Sequence, residues 1–313
     1  MQAEPGPARP GVIRVSLRLA SRDRSAVVAG SMLLVLFLLA TVGAPLAEAL
    51  TGHGPEQLFS GGLTPSGIPL APMSHGLLAD GTPDPGGAFF VLGTDRLGRD
   101  TFVRLLYGAR VTLVVGFAAT LVALLIGVPL GLVAGYFRGR VDAIVSRGTE
   151  AAMAFPSLLF AIGLAAVLGP GLLNVVVVIA LFSWYYPARI VRSAVLSLRS
   201  EAFVDAAIVS GASDGRVLGR HLLPQLAAPL IVYATSVVAV NVLTEAGLSY
   251  LGLGVPPPAP SWGQMLADGV TTGLYRIQPW VAITPGLALI ATTLALNILA
   301  DSFRETLMPG GRA

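Results

Sequence analysis

The sequence predicts an all-α membrane protein of six helices. Composition is the first observation: the 313 residues are 54% hydrophobic and 12% charged, whereas soluble domains carry about 25% charged residues. The second is a series of uncharged runs, each near the length of about 20 residues that crosses a bilayer. They lie at 26–47, 111–137, 225–244 and 277–300, with two more inside 151–188. The third is that arginines gather at alternate connections between those runs, as they do on the cytoplasmic side of membrane proteins.

Residues 1–25 form a polar tail with Arg9, Arg14, Arg18, Arg22 and Arg24. The run 26–47 exceeds the apolar segment of about 7–15 residues of a cleaved leader, so a span is expected. Residues 49–90, rich in Gly and Pro, predict a loop. In 93–110, Thr94 is a candidate cap, and Arg99, Phe102, Val103 and Leu106 are spaced for a short amphipathic surface helix. Its charges, Arg96, Arg99, Asp100 and Arg104, form either a solvated face or a docking surface capping an entrance.

In the span 111–137, Gly116, Gly127, Gly131 and Gly135 offer a small-residue face for close helix packing. Residues 151–188 are too long for one helix; Leu168-Gly169-Pro170-Gly171 splits them. Phe155-Pro156-Ser157 predicts a kink, and Trp184-Tyr185-Tyr186 an aromatic cluster at the membrane boundary. After the fifth run, repeated Gly and three consecutive prolines within 245–263 break helical order, leaving a rigid external turn. A polar connection over 264–276 leads to the sixth run.

One polar island stands apart. Residues 201–224, EAFVDAAIVSGASDGRVLGRHLLP, read as two short helices. Gly211 suits the left-handed position that ends the first. Ser213 caps the second, with Asp214 in its first turn near the positive end of the helix dipole. Arg216, Arg220 and His221 follow, and Pro224 is expected to stop the helix.

Six spans put both termini on one side. With the N-terminus inside, fifteen of the twenty arginines lie at cytoplasmic positions and five outside, four of them in one long loop where the charge rule is weak. The island is then cytoplasmic. The chain has no cysteine, hence no disulfide or thiolate metal site, and with three scattered histidines no metal centre is expected. It has no lysine, which excludes a Walker A loop. No catalytic residue is expected, and any ATP must be bound elsewhere.

Asp205-Ala206-Ala207, Gly211 and Leu223-Pro224 resemble the EAA loop of ABC importer permeases, with Asp in place of the usual Glu. GTDRLGRD, RLLYGAR, FPSLL, EAGLSYLGLGVPPPAPSWGQML and PGLALIATTLALNILAD resemble the C-type permeases of the dipeptide, oligopeptide and nickel importers, a likeness covering roughly 26–307. The resemblance implies a six-helix type I ABC importer permease with cytoplasmic coupling helices. Its parts would be a cytoplasmic tail 1–25, a first membrane helix and long extracytoplasmic loop 26–108, a type-1 domain 109–301 of five helices with coupling loop 193–225, and a cytoplasmic tail 302–313. Glu201, Asp205, Ala206, Ala207, Gly211, Asp214, Arg220, His221 and Pro224 would face the ATPase. The implied partners are a homologous B-type permease, two ATPase subunits that hold ATP and Mg, an extracytoplasmic peptide-binding protein and the plasma membrane bilayer; no nucleic acid is implied.

Candidates for the substrate path come from the residues. Asn241 and Glu245 share a helix face in the fifth run, as do Thr293 and Asn297 in the sixth. Polar side chains there either line a path or bond neighbouring helices, and Glu245 can also sit at the water interface. The expected cargo is a di- or oligopeptide, with nickel chelates or glutathione as alternatives. An ion-coupled carrier needs carboxylates deep in its spans, an ABC exporter half needs a fused or nearby ATPase domain, and an anchor subunit needs no patterned inner loop. A co-purifying ATPase would separate them.

Overall fold

Residues 24–307 are described by the structure, a computed structural model. Arg9, Arg14, Arg18, Arg22 and Arg312 lie outside them, as do most of the 1–25 tail and the end of the 302–313 tail. Among the described residues, five helical stretches are long and apolar enough to cross a membrane, and a sharply bent pair makes a sixth if counted as one span.

The first stretch is α1, Arg24–Leu38, a π turn Leu39–Gly43, and α2, Ala44–Thr51. The long loop between the first two spans follows, the outer loop on the charge-rule reading above, with the two-residue strands β1, Ser74–His75, and β2, Phe89–Phe90, paired antiparallel. The loop repeats one turn three times. At Leu63↔Pro69, Leu77↔Pro83 and Thr94↔Asp100 an isolated bridge closes a turn whose fifth residue is Gly67, Gly81 or Gly98, each at positive φ.

The central helix is α3, Thr101–Phe137, unbroken over 37 residues despite Pro129. The short surface helix expected at 93–110 is therefore the outer end of a span. Its cap is Asp100, not Thr94: Asp100 Oδ1 accepts from the Phe102 and Val103 amides at 2.8 and 3.2 Å. Thr94 instead accepts from the Leu70 amide and donates to the Gly62 carbonyl, locking the loop. The charged face is not solvated as a whole. Arg99, Asp100 and Arg104 are buried. Arg104 Nε lies 3.2 Å from Asp95 Oδ2, and Nη1 donates to the carbonyls of Pro55 and Pro258. The proline run is thus tied to the outer loop. Arg99 pairs with Asp95 and Arg96 with Asp268.

After a turn at Arg138, α4, Gly139–Ala154, and α5, Ser157–Leu168, meet at 88° around Pro156. The kink falls where expected. The third span is nevertheless shorter than expected, because residues 151–154 belong to α4. Twelve residues extend about 18 Å, less than the bilayer core of about 30 Å. Next are α6, Leu172–Leu181, and α7, Tyr185–Leu198, which together make one membrane-length stretch. The aromatic cluster 184–186 sits at their junction, and Tyr185 is buried.

The polar island 201–224, the inner segment on the same charge-rule reading, holds α8, Ala202–Val209. A lead-in from Asp214 to Leu226 runs directly into α9, Ala227–Tyr250. The expected polar connection is helical: α10, Trp262–Thr271, capped by the Ser261 hydroxyl, which accepts from the Gln264 amide at 3.2 Å. The last helix is α11, Trp280–Leu307, extending past residue 302.

The glycines of α3 set the packing. A Cβ at Gly116 would stand 2.6 Å from Val242 Cγ2 on α9, and one at Gly135 would stand 2.8 Å from Val195 Cβ on α7. Side chains cannot occupy that space, so the helices approach backbone to backbone. Among the described residues the apolar clusters include an outer one with Leu113, Val242, Trp262 and Leu296, a middle one with Ala119, Val178 and Ile179, and an inner one with Leu132, Val191, Val204 and Leu222.

Candidate functional site

The inner segment is held from beneath and open on top. Val204, Val217, Leu222 and Leu226 are buried against Leu132 and Tyr136 of α3 and Val191 and Val195 of α7. Helix α8 ends in a complete left-handed cap. Gly211 takes φ 81, its amide donates to the Ile208 carbonyl at 2.9 Å, and the Ala212 amide donates to Ala207 at 3.1 Å. This pair of bonds defines a Schellman ending. Nothing lies within 4 Å of a Cβ at Gly211, so the backbone angle alone calls for glycine.

Two details differ from the sequence expectation. Ser213 occupies the cap position but makes no side-chain cap bond. Pro224 does not end the helix. A π turn, Val217–Leu222, shifts the bonding register into a 3₁₀ turn, Leu223–Leu226, where Pro stands among the first residues and no amide donor is needed. Asp214 Oδ1 accepts from the Tyr136 hydroxyl at 2.7 Å. The helical path from Asp214 to Tyr250 is one stretch.

Glu201, Asp205, Ala206, Gly211, Asp214, Arg220 and Pro224 are exposed, while Ala207 and His221 are half-buried. Between them stand three apolar side chains that the sequence did not single out: Phe203, Ile208 and, at 88% exposed, Val209. The octet AFVDAAIV is apolar on nearly every face, so its pattern does not separate an inward side from an outward one.

A second feature lies in the bundle. A cavity of about 360 Å³ is bounded by α5, the α6–α7 junction and α9. Asn241 lines it, 2% exposed. Its Nδ2 donates to Thr120 Oγ1 at 2.8 Å, and its Oδ1 lies 3.0 Å from the Ser183 hydroxyl. Asn241 therefore joins α3, the junction and α9 while facing the cavity. Glu245, one turn on, does not line it. Glu245 is fully buried rather than at a water interface, and its Oε1 accepts from Ser249 at 2.6 Å. Thr293 is half-buried and Asn297 exposed on α11; neither borders the cavity. The structure thus separates the four sequence candidates and gathers Ser183, Tyr186, Tyr233, Ser236 and Thr244 around Asn241.

The family model for the binding-protein-dependent transport system inner membrane component matches residues 127–311. The chain belongs to that family. Among its relatives, a putative peptide transport system permease protein of Brucella suis biovar 1 is 44% identical over 228 residues, covering 72% of this chain and 75% of that one. The dipeptide transport system permease protein DppC of Alkalihalophilus pseudofirmus is 42% identical, covering 69% and 71%. The glutathione transport system permease protein GsiD of Pectobacterium atrosepticum is also 42% identical, covering 70% and 72%. A solved structure of the MetNI methionine ABC transporter in an inward-facing conformation has a chain of the same fold, with TM-score 0.54 at 20% identity, covering 66% of this chain and 97% of that one.

In this transport-system inner membrane component, the matched residues contain the whole inner segment and the whole cavity lining. The outer loop and its arginine clasp precede them.

Proposed function

We propose that the chain is the membrane-spanning permease subunit of an ABC importer that carries di- or oligopeptides inward across the plasma membrane. In this reading both termini are cytoplasmic, ATPase partners bind ATP and Mg and grip the exposed face of α8, and an extracytoplasmic binding protein delivers cargo to the outer face. A homologous B-type permease completes the path. The chain itself performs no covalent chemistry.

One observation carries this reading. The exposed segment beside α8 continues as an uninterrupted helical stretch from Asp214 to Tyr250, past Asn241 at the cavity. A displacement of the Asp214–Leu226 lead-in therefore reaches the cavity wall without crossing a loop, and α8 shares an apolar cluster with that lead-in through Val204, Val217 and Leu222. ATP binding would close the ATPases and tilt the bundle outward, and hydrolysis would return it. The names of the relatives support a peptide cargo. Glutathione, itself a peptide, is the second reading, favoured by the GsiD relative; nickel chelates remain the sequence-based alternative.

The test is reconstitution of the chain with its partner permease, ATPases and binding protein in vesicles. ATP-dependent accumulation of labelled dipeptide, lost when the ATPases are inactivated, is the expected result. Accumulation driven by an ion gradient without ATP would overturn the reading.

A further inference from the structure

The cavity lies beside a break in a membrane helix. Residues 182–184 interrupt α6 and α7 within one membrane-length stretch, shortly before the first arginine of α7, Arg189. Irregular backbone at membrane depth persists only where protein covers it or where it lines a water-filled cavity. Here the Ser183 carbonyl accepts from the Tyr233 hydroxyl at 3.2 Å, and Ser183 and Tyr186 line the cavity beside the break.

The lining has a consistent chemistry. It contains no Asp, Glu, Lys, Arg or His. The Ser236 hydroxyl donates to the Val232 carbonyl at 3.1 Å and Thr244 to Val240 at 2.8 Å. These two hydroxyl protons are committed to the helix, which leaves the Ser236 and Thr244 oxygen lone pairs on offer to the cavity. Such a wall accepts hydrogen bonds from N–H groups and has no fixed charge with which to attract or repel a side chain. Its volume falls within the range of about 300–1,000 Å³ typical of ligand sites. Glu245, the neighbouring carboxylate, is sealed away from it.

We propose that this cavity is the chain's own share of the translocation path, and that it passes peptides by accepting from their backbone N–H groups without selecting on side-chain charge. The proposal rests on the peptide-importer reading and adds to it the residues and the selection rule.

The chain has no native cysteine, so single thiols report cleanly. S236C and T244C are made in the complete importer in vesicles and treated with a membrane-impermeant thiol reagent. Both are expected to react, and transported dipeptide with ATP is expected to change the rate several-fold. L287C, exposed on the outside of α11, serves as an unreactive lipid-facing control. In parallel, T244D is expected to lower uptake of a glutamate-containing dipeptide several-fold more than that of a lysine-containing one. If wild-type vesicles show no ATP-dependent uptake, the importer reading fails. If they do, but S236C and T244C are unreactive or insensitive to peptide, or T244D lowers both uptakes equally, the path assignment alone is overturned.

Discussion

The Tyr136 hydroxyl donates to Asp214 Oδ1 at 2.7 Å, joining the inner end of the central helix to the first turn that leads into α9. The Arg199 guanidinium lies over the same ring, 5.4 Å from its centre. One aromatic side chain thus connects α3, α7 and the exposed inner segment. The bond is placed so that a shift of the inner segment is shared with the bundle.

Y136F removes the bond and keeps the ring. Stability is expected to fall by about 1 kcal/mol, the worth of one such hydrogen bond, and membrane insertion to stay unchanged. In reconstituted vesicles the variant should hydrolyse more ATP per peptide transported. A ratio equal to wild type would show that this bond is structural only.

Gly211 is held at φ 81 with open space around its α-carbon. A side chain there costs about 1–2 kcal/mol through the backbone alone. G211V is expected to insert normally and to lose transport and ATPase stimulation. G211N, a residue that tolerates this conformation, should keep most of both. Equal loss in the two variants would point to a contact rather than to the backbone angle.

Much of this arrangement was legible in the sequence, for specific physical reasons. The glycines of α3 announce close backbone approach, Pro156 announces a bend, and Gly211 announces a helix end. Pro224 misled because the rule against a residue preceding proline assumes an unbroken α-helix, and the π turn before it changes the bonding register. Helix α10 was missed although Ser261 is a good cap, since three preceding prolines dominate the local signal. The buried state of Arg104 could not be read, because its carbonyl partners on Pro55 and Pro258 carry no side-chain signature. The cavity was half-legible: Asn241 stood out as a polar residue in an apolar run, whereas Ser183 and Tyr233 become neighbours only through the fold.

R104M tests the outer clasp. It deletes a buried cation that sits beside Asp95 and holds two carbonyls. Breaking such a site costs about 3–5 kcal/mol, so thermal unfolding in detergent should occur at a clearly lower temperature. R104K restores the charge but not the planar fork and should fall between the two. A wild-type melting temperature for R104M would show that the clasp contributes nothing.

G131L tests the helix contact. A Cβ at Gly131 would already stand 2.8 Å from Val191 Cβ and meet the Ala188 backbone. Overpacking of this kind costs about 1–3 kcal/mol, and backbone cannot yield as a flexible side chain does. Even G131A should lower stability measurably, with G131L lower again; equal melting temperatures would contradict the observed α3–α7 approach.

In the importer proposed above, a nucleotide-driven partner grips the exposed face of α8. Val209, 88% exposed, is the side chain to test in this cysteine-free protein. With V209C in the assembled complex, a short thiol cross-linker should join the chain to an ATPase subunit, and in intact cells an impermeant thiol reagent should leave V209C untouched. Labelling of V209C from outside the cell, with no cross-link to the ATPase, would contradict the account.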